Sequence, residues 1–355
     1  QLGMAQYQSN QIEAAIPNLA ELNSLKDSLG QNAMYHLADC YLKTNDKSKA
    51  NAAFEAAARL SHNKEIQEIA AFNHAKMSYD LGLNSTALNK LQAFLKDYPK
   101  STFANEAKNL LSSIFETTQN YKEALALLEN TPNKDTPLLR TYQRVAYYRA
   151  IELHNDRKYE DAIALLDKSL QNPLDPTFTA LAHFWKGDMY YKTTDYNNAF
   201  NSMQNFIARS STVPISDQVS HGTANYTMGY ALFKQGQYRQ ALPYFESSVA
   251  QLGGKPELMN ALTVTSQVYP DAILRAGDCY FMQKNYTKAN EQYDDVLKYG
   301  LRGADYAAYQ KGILAGLAGK PADKVDLLTQ MTKKYPESLY LDDAWYQIAL
   351  AHSSQ

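Results

Sequence analysis

The stretch "GDCYFMQKNYTKANEQY" at 277–293 has a close counterpart far upstream, "ADCYLKTNDKSKANAAF" at 38–54. Each begins with a small residue followed by Asp-Cys-Tyr, continues through a polar stretch, and then carries Lys-Ala-Asn in the same register. Self-similarity of this kind indicates an internal repeat, and a period of roughly 20–50 residues is typical of solenoids and related arrays. The fold therefore depends on whether the pattern recurs elsewhere in the chain.

The pattern recurs along the whole chain. The small residue that begins each copy, called here the anchor, stands at Gly3, Ala38, Ala75, Ser112, Ala150, Gly187, Gly229, Gly277, Gly312 and Ala349. Twelve residues later comes Ala15, Ala50, Ala87, Ala124, Ala162, Ala199, Ala241 or Ala289, with Lys324 as the exception. Four residues further stands a large side chain: Leu19, Phe54, Leu91, Leu128, Leu166, Met203, Phe245, Tyr293 or Leu328.

These spacings predict a helical hairpin. The alanine and the large residue lie four positions apart, so they share one face of a helix. Small residues at the anchor and at the alanine position let two antiparallel helices approach closely, and the large residues fill the remaining space. Turn-prone residues separate the two helices, and period-2 apolar runs are absent from the sequence. We therefore expect an all-α fold, with second-repeat helices near 31–44 and 47–60 and a last helix near 339–352.

The pattern resembles the tetratricopeptide repeat. The small–aromatic pair of that family's first helix matches "ADCY" at 38–41, and the Ala–Phe pair of its second helix matches "ANAAF" at 50–54. The family's closing proline is present at Pro99 and Pro336 but absent from most other copies. The resemblance implies a right-handed superhelical solenoid of antiparallel hairpins over residues 1–355. It also implies a binding scaffold with no enzymatic activity.

Two steps between anchors are longer than the others. They contain insertions at 209–222 and 251–271, each between the second helix of one repeat and the first helix of the next. We therefore expect both insertions on the same edge of a single array, where such loops often contribute to binding. The alternative is that "KPELMNALTV" (255–264) merely prolongs a helix.

Composition narrows the choice of partner. The 35 basic and 37 acidic side chains leave a net charge of −2, which gives no electrostatic case for nucleic acid or an anionic membrane surface. No apolar run reaches the roughly 18–20 residues of a membrane span. The chain begins "QLGMAQYQSN" without a starting Met, and we interpret it as part of a larger protein. Exposed apolar surface at both ends, and homo-oligomers joined through the end repeats, are therefore expected.

Signals for catalysis are weak. The seven histidines are scattered without the spacing of a helical metal site. "GLAGKP" at 316–321 lacks the length and the Ser or Thr of a phosphate-binding loop. Cys40 and Cys279 occupy equivalent positions of two different hairpins and are expected to be buried rather than bridged or reactive. We predict no catalytic residue, no metal and no cofactor.

Aromatic residues form a more informative pattern. They recur three residues before the anchor and four after it, two positions that share a helix face, and an Asp often follows the anchor. In a tetratricopeptide array this face is expected to line the concave groove. The predicted partner-binding residues are Tyr35, Asp39, Phe72, Tyr79, Tyr147, Phe184, Asp188, Tyr191, Tyr226, Asp278 and Tyr309.

Such a groove suits a peptide or protein segment with apolar and basic side chains. The alternative is that the rings pack between neighbouring hairpins and that the Asp residues form a solvated face. Two other functions stay open, a structural spacer or oligomerisation module and an envelope glycan-binding module. The Tyr-Pro-x-Ser links in "KDYPKST" (96–102) and "KKYPESL" (333–339) resemble those of bacterial cell-envelope tetratricopeptide proteins. That resemblance implies a periplasmic or outer-membrane-associated location, with the cytoplasm as the alternative.

Overall fold

The structure, a computed structural model, describes residues 1–117, 120–131, 133–213, 216–253 and 263–353, and all regular secondary structure in these residues is helical. The α-helices of these residues are α1 Leu2–Gln8, α2 Ile12–Ala20, α3 Ser28–Lys43, α4 Lys47–Ala58, α5 Lys64–Asp80, α6 Asn84–Asp97, α7 Ala104–Thr117, α8 Tyr121–Asn130, α9 Thr136–Asn155, α10 Tyr159–Leu170, α11 Pro176–Lys192, α12 Tyr196–Arg209, α13 His221–Phe233, α14 Tyr238–Leu252, α15 Val264–Met282, α16 Tyr286–Lys298, α17 Ala304–Leu317, α18 Pro321–Lys334 and α19 Leu341–Ser353. Short 3-10 turns follow α2 and α12.

The chain divides into two compact units, Gln1–Arg149 with Gln171–Leu174, and Ala150–Leu170 with Asp175–Gln355. In the first unit, consecutive helices pack on one another from the α1–α2 pair to the α6–α7 pair. In the second unit, they do so from the α10–α11 pair to the α18–α19 pair. The first helices of successive hairpins also touch, as α3 does with α5 and α13 with α15. The prediction of an all-α solenoid of helix hairpins is confirmed. The superhelical hand and the single array over 1–355 stay predictions.

Capping residues fix where the helices begin. Helix α3 begins a few residues before the predicted position because the side chain of Asp27 accepts a 2.9 Å hydrogen bond from the Gly30 amide. Asp46 caps α4 in the same way through the Lys49 amide. The observed bounds of α3, α4 and α19 otherwise agree with the sequence prediction to within a few residues.

The hairpin turns that the structure describes share one recurring backbone feature. The residue seven positions after the anchor has a left-handed φ, between 58° and 73°, at Asn10, Asn45, Gly82, Arg157, Thr194, Gly236, Lys284 and Gly319. The next amide then bonds back into the first helix, as Asp46 does to the Tyr41 carbonyl at 2.8 Å. Because Asp46 is also the N-cap of α4, three residues suffice to reverse the chain.

The anchors and the large residues on the second helices pack as predicted. A Cβ atom added at Gly277 would lie 2.7 Å from the Tyr293 ring, and one at Gly229 would lie 2.9 Å from the Phe245 ring. Both rings are fully buried. The small anchor therefore makes room for the large side chain of the second helix, which explains the spacing read from the sequence.

The two insertions lie partly outside the described residues, which exclude 214–215 and 254–262. The carboxylate of Asp217, in the first insertion, accepts hydrogen bonds of 2.6 and 3.0 Å from the amides of Val264 and Thr265 at the start of α15. The first insertion thus binds the end of the second. Most of "KPELMNALTV" falls outside the described residues, so its predicted conformation stays a prediction.

Candidate functional site

A cleft of about 600 Å³ opens in the second unit between the first helices of successive hairpins. Its walls come from α13, α15, the start of α17 and the segment that precedes α19. We call it the Arg275 cleft; its lining residues are Tyr226, Gln267, Asp271, Leu274, Arg275, Arg302, Gly303, Asp305, Tyr306, Leu339 and Tyr340.

Three charged residues of α15 form the base of the cleft. Arg275 Nε lies 3.4 Å from Asp271 Oδ1, and another guanidinium nitrogen donates to Asp278. The guanidinium carbon lies 5.2 Å from the ring centre of Tyr306 and 5.9 Å from that of Phe233. Arg275 is thus held by two carboxylates and two rings, an arrangement that fixes a planar guanidinium in place.

Two tyrosines of α13 bind one of these carboxylates. The hydroxyl of Tyr226 donates to Asp271 Oδ2 at 2.8 Å, and that of Tyr230 donates to the same oxygen. Burial, together with the nearby carboxylate, raises the pKa of both phenols well above their usual value. Both hydroxyls therefore stay protonated at neutral pH and tie α13 to α15.

The other carboxylate, Asp278, is itself buried. It accepts hydrogen bonds of 2.7 Å from Tyr293 on α16 and 2.9 Å from Tyr306 on α17. Burial raises the pKa of Asp278, and the guanidinium and the two hydroxyls oppose that effect. This network joins three consecutive helices beneath the cleft, so the base of the cleft is rigid.

The rim of the cleft is more exposed than its base. Arg302 is exposed and forms no ion pair with any carboxylate in the described part of the chain. Asp305 accepts a 2.7 Å hydrogen bond from Ser338, whose hydroxyl oxygen also accepts the amide of Tyr340 at 3.2 Å. Leu339, which lies between Ser338 and Tyr340 in the sequence, is 93% exposed. The rim therefore combines an unpaired cation with an uncovered apolar side chain.

Three residues of the predicted groove lie in the core. Phe72, Tyr147 and Phe184 are between 2% and 6% exposed. The Phe72 ring stacks on Phe103, with the ring centres 4.7 Å apart, and Phe184 packs edge-on against Phe206. In this structure these side chains pack between helices, as the alternative interpretation of the aromatic pattern expected, and they offer no surface to a partner.

The other predicted rings are half-buried. Tyr35, Tyr79 and Tyr191 lie outside the Arg275 cleft. Tyr226 lines it, and Tyr309 stacks on the cleft residue Tyr340 with the ring centres 5.7 Å apart. Of the predicted aromatic residues, Tyr226 therefore lines the cleft and Tyr309 lies at its edge.

The three predicted aspartates already have cationic partners in their own chain. Asp39 lies 2.9 Å from Lys43, Asp188 lies 2.7 Å from Lys192, and Asp278 bonds the guanidinium of the cleft. Burial alone would raise the pKa of Asp39 and Asp188, but hydrogen bonds from their partners outweigh it and lower both. The expected preference for a basic peptide therefore loses its physical basis at these positions.

Several cleft residues were absent from the sequence prediction, namely Asp271, Arg275, Arg302, Tyr306 and Tyr340. A usable signal was present for the first two. Asp271, Arg275 and Asp278 follow one another at spacings of four and three, which puts alternating charges on one helix face. That spacing predicts an ion-pair ladder on one face of α15, which identifies these residues but not the cleft beside them.

Within the described residues, no group of three or more His, Cys, Asp or Glu side chains is placed to hold a metal ion. No helix of that part is long and apolar enough to cross a bilayer.

Comparison with known proteins gives one family. The tetratricopeptide-repeat family model matches residues 1–63 and 226–308, and the second match contains α15 and α16 and part of the cleft. No curated protein matches the sequence.

Solved structures similar to this chain include YrrB, described as a TPR protein with an unusual peptide-binding site (19% identity, TM-score 0.47, 64% of this chain and 98% of that one). Two structures of MamA, each 19% identical to this chain, are similar over 55% and 53% of it and over 92% and 95% of their own length, with TM-scores of 0.43 and 0.42. PilF of Pseudomonas aeruginosa is 15% identical, with a TM-score of 0.39, over 68% of this chain and 98% of its own.

Proposed function

We propose that this chain, whose residues 1–63 and 226–308 match the tetratricopeptide-repeat family model, is a non-catalytic scaffold that binds a segment of a partner protein in the Arg275 cleft. Repeat arrays of this kind mostly present extended surfaces to other proteins. The observation that carries the proposal is the cleft itself, because it is lined by the first helices of successive hairpins and its walls bear tyrosines.

The dimensions and walls of the cleft suit a peptide segment. A volume of about 600 Å³ lies within the range of sites that take a small ligand or a few side chains. Tyr226 and Tyr306 are already held through their hydroxyls by Asp271 and Asp278. Their rings would therefore lose little conformational entropy when a partner packs against them, which favours binding.

The titratable groups at the base of the cleft support a non-catalytic role. Asp271 accepts from two phenols whose raised pKa keeps them protonated, and Arg275 bridges two carboxylates. Groups that bind one another in this way stabilise the architecture and are poorly placed to exchange protons with a substrate. We therefore assign them to shaping the cleft.

Site-specific photocrosslinking tests this proposal. Leu339 at the rim and Leu29 in the first unit are both exposed, at 93% and 55%, and each can be replaced by benzoylphenylalanine in separate variants of the whole chain. We expect a discrete protein adduct from position 339 and none from position 29. Adducts of equal yield at both positions, or none at 339, would overturn the assignment of the cleft.

We extend the proposal to location: a scaffold of the bacterial periplasm or outer membrane. The support is the pair of Tyr-Pro-x-Ser links, and the second of them supplies Ser338, which binds Asp305 at the rim of the cleft. Fractionation of bacterial cells that produce the protein from its native gene tests the location, and recovery in the cytoplasm alone would contradict it.

A further inference from the structure

We infer that the segment bound in the Arg275 cleft carries an acidic side chain beside an apolar one, and that its carboxylate pairs with Arg302. The inference rests on the proposed function and specifies its ligand. It replaces the basic ligand expected from the sequence.

The acceptors at the base of the cleft are already engaged. Asp271 accepts from two tyrosine hydroxyls and faces Arg275, and Asp278 beneath it accepts from two more hydroxyls and the guanidinium. Asp305 at the rim accepts one hydrogen bond from Ser338 and forms no ion pair in the described part of the chain. A lysine or arginine of a ligand at the base of the cleft would have to compete with the bonds of Asp271 and Asp278 and would approach the guanidinium of Arg275. Basic ligands are therefore disfavoured at the base of the cleft.

The cation at the rim of the cleft is the donor that a ligand can reach. The Nε atom of Arg275 at the base is buried and lies 3.4 Å from Asp271 Oδ1, so it is closed to a ligand. Arg302 is exposed at the rim and forms no ion pair within the described part of the chain. Gln267 adds an exposed amide to the lining. A ligand that supplies acceptors is thus complementary, and a carboxylate fits the forked donors of a guanidinium better than any neutral acceptor does.

The apolar part of the ligand follows from Leu339. Its side chain is almost fully exposed beside Tyr340, on a segment whose backbone is held by the Ser338 hydroxyl. An apolar residue of the ligand that covers Leu339 would remove apolar surface from water without moving this segment. The cleft therefore offers an ion pair and an apolar contact to one short stretch of chain.

Selection of a phage-displayed library of random dodecapeptides on the immobilised whole chain tests the inference. We expect the enriched clones to share an Asp or Glu near a Leu, Ile, Phe or Met. Synthetic peptides from those clones should bind Arg302→Glu at least ~10-fold more weakly than the wild type at low salt, because a charge-assisted pair is lost and its sign reversed. Arg302→Lys should retain part of the binding, since Lys keeps the charge but not the fork.

Arg239→Glu is the matched control, because Arg239 is an exposed cation of the second unit that does not line the cleft. It should leave affinity unchanged, while Leu339→Asp should weaken it. Enriched clones that are basic, or acidic clones that lose equal affinity in Arg302→Glu and Arg239→Glu, would overturn the ligand class and leave the scaffold proposal standing. Peptides whose affinity is unchanged by both Arg302→Glu and Leu339→Asp bind outside the cleft, and this result overturns the inference. An absence of enriched clones also overturns it, because it contradicts peptide binding itself.

Discussion

The hydroxyl of Tyr7 donates a 2.7 Å hydrogen bond to the carboxylate of Asp39, and this bond ties α1 to α3. The second unit repeats the relationship, with His154 Nε2 lying 2.8 Å from Asp188 Oδ2. In both pairs the first residue stands four positions after its anchor and the aspartate one position after the next anchor. The aspartate after the anchor thus links consecutive hairpins in both units.

We predict that Tyr7→Phe lowers the free energy of unfolding by ~1 kcal/mol, the usual contribution of one hydrogen bond. The ring and its packing are kept, so the change isolates the bond to Asp39. Urea denaturation followed by circular dichroism measures the difference. Tyr41→Phe is the control, because the Tyr41 hydroxyl has no hydrogen-bond partner among the described residues. Equal losses in the two variants would show that the bond does not link the hairpins.

A second prediction concerns two anchors that differ in what they pack against. Gly277→Ala should destabilise the protein by ~1–3 kcal/mol, because its new Cβ would lie 2.7 Å from the ring of Tyr293, which Asp278 holds in place. Gly187→Ala should cost much less, or nothing. Its Cβ would meet the flexible side chain of Met203, and alanine favours the helix by ~1 kcal/mol.

Thermal denaturation of the two variants in parallel provides the measurement. Similar melting temperatures would mean that Tyr293 moves as freely as Met203, which would contradict a rigid base beneath the Arg275 cleft.

The repeat register could be read from the sequence because it depends on contacts inside one hairpin. Gly277 and Tyr293 are close in sequence, and the need for a small residue opposite a large one appears directly as a spacing. Cys40 and Cys279 follow the same logic: both are fully buried, and burial raises the pKa of the Cys279 thiol to about 12. Their expected role as buried side chains is confirmed.

The cleft could not be read in this way, because it depends on contacts between hairpins. Phe72 and Tyr226 both stand three residues before an anchor, yet Phe72 is buried against Phe103 while Tyr226 lines the cleft. The difference comes from the segment between α6 and α7, which places Phe103 over Phe72, whereas Tyr226 stays open to the cleft. Helical periodicity identifies the face on which a ring lies, but not what the next hairpin places over it.

A third prediction uses the left-handed residue of the hairpin turn. Thr194 has a φ of 64° and is exposed, and a β-branched residue is strained in that conformation. Thr194→Gly should therefore raise the free energy of unfolding by ~1 kcal/mol. Thr193→Gly is the control: Thr193 has a φ of −90°, and its hydroxyl bonds the Met189 carbonyl at 3.1 Å. That variant should be neutral or destabilised, and a gain of equal size in both would contradict the strain at Thr194.

The last prediction concerns pH. Burial, reinforced by the positive charges of Arg209 and Lys186, lowers the pKa of His183 to about 4. In the unfolded chain the same imidazole takes up its proton near pH 6.5. Between these two values the unfolded state binds the proton and the folded state does not, so acidification favours unfolding. Stability that is fully present above pH 6.5 is lost as the pH falls towards 4, by an amount on the order of 1–2 kcal/mol once solvent screening of this half-buried group is allowed for.

Urea denaturation at a series of pH values across this window measures the slope, and histidine NMR titration measures the pKa of His183 directly. His183→Gln should flatten the slope because it removes the titrating group, whereas His352→Gln, at an exposed position of α19, should leave it unchanged. If His183 titrated near pH 6.5 in the folded protein, neither its burial nor its two cationic neighbours would control its proton. The acid sensitivity of the second unit would then have to come from its carboxylates, Asp188 first among them, since the pKa of that residue is lowered and its protonation releases Lys192.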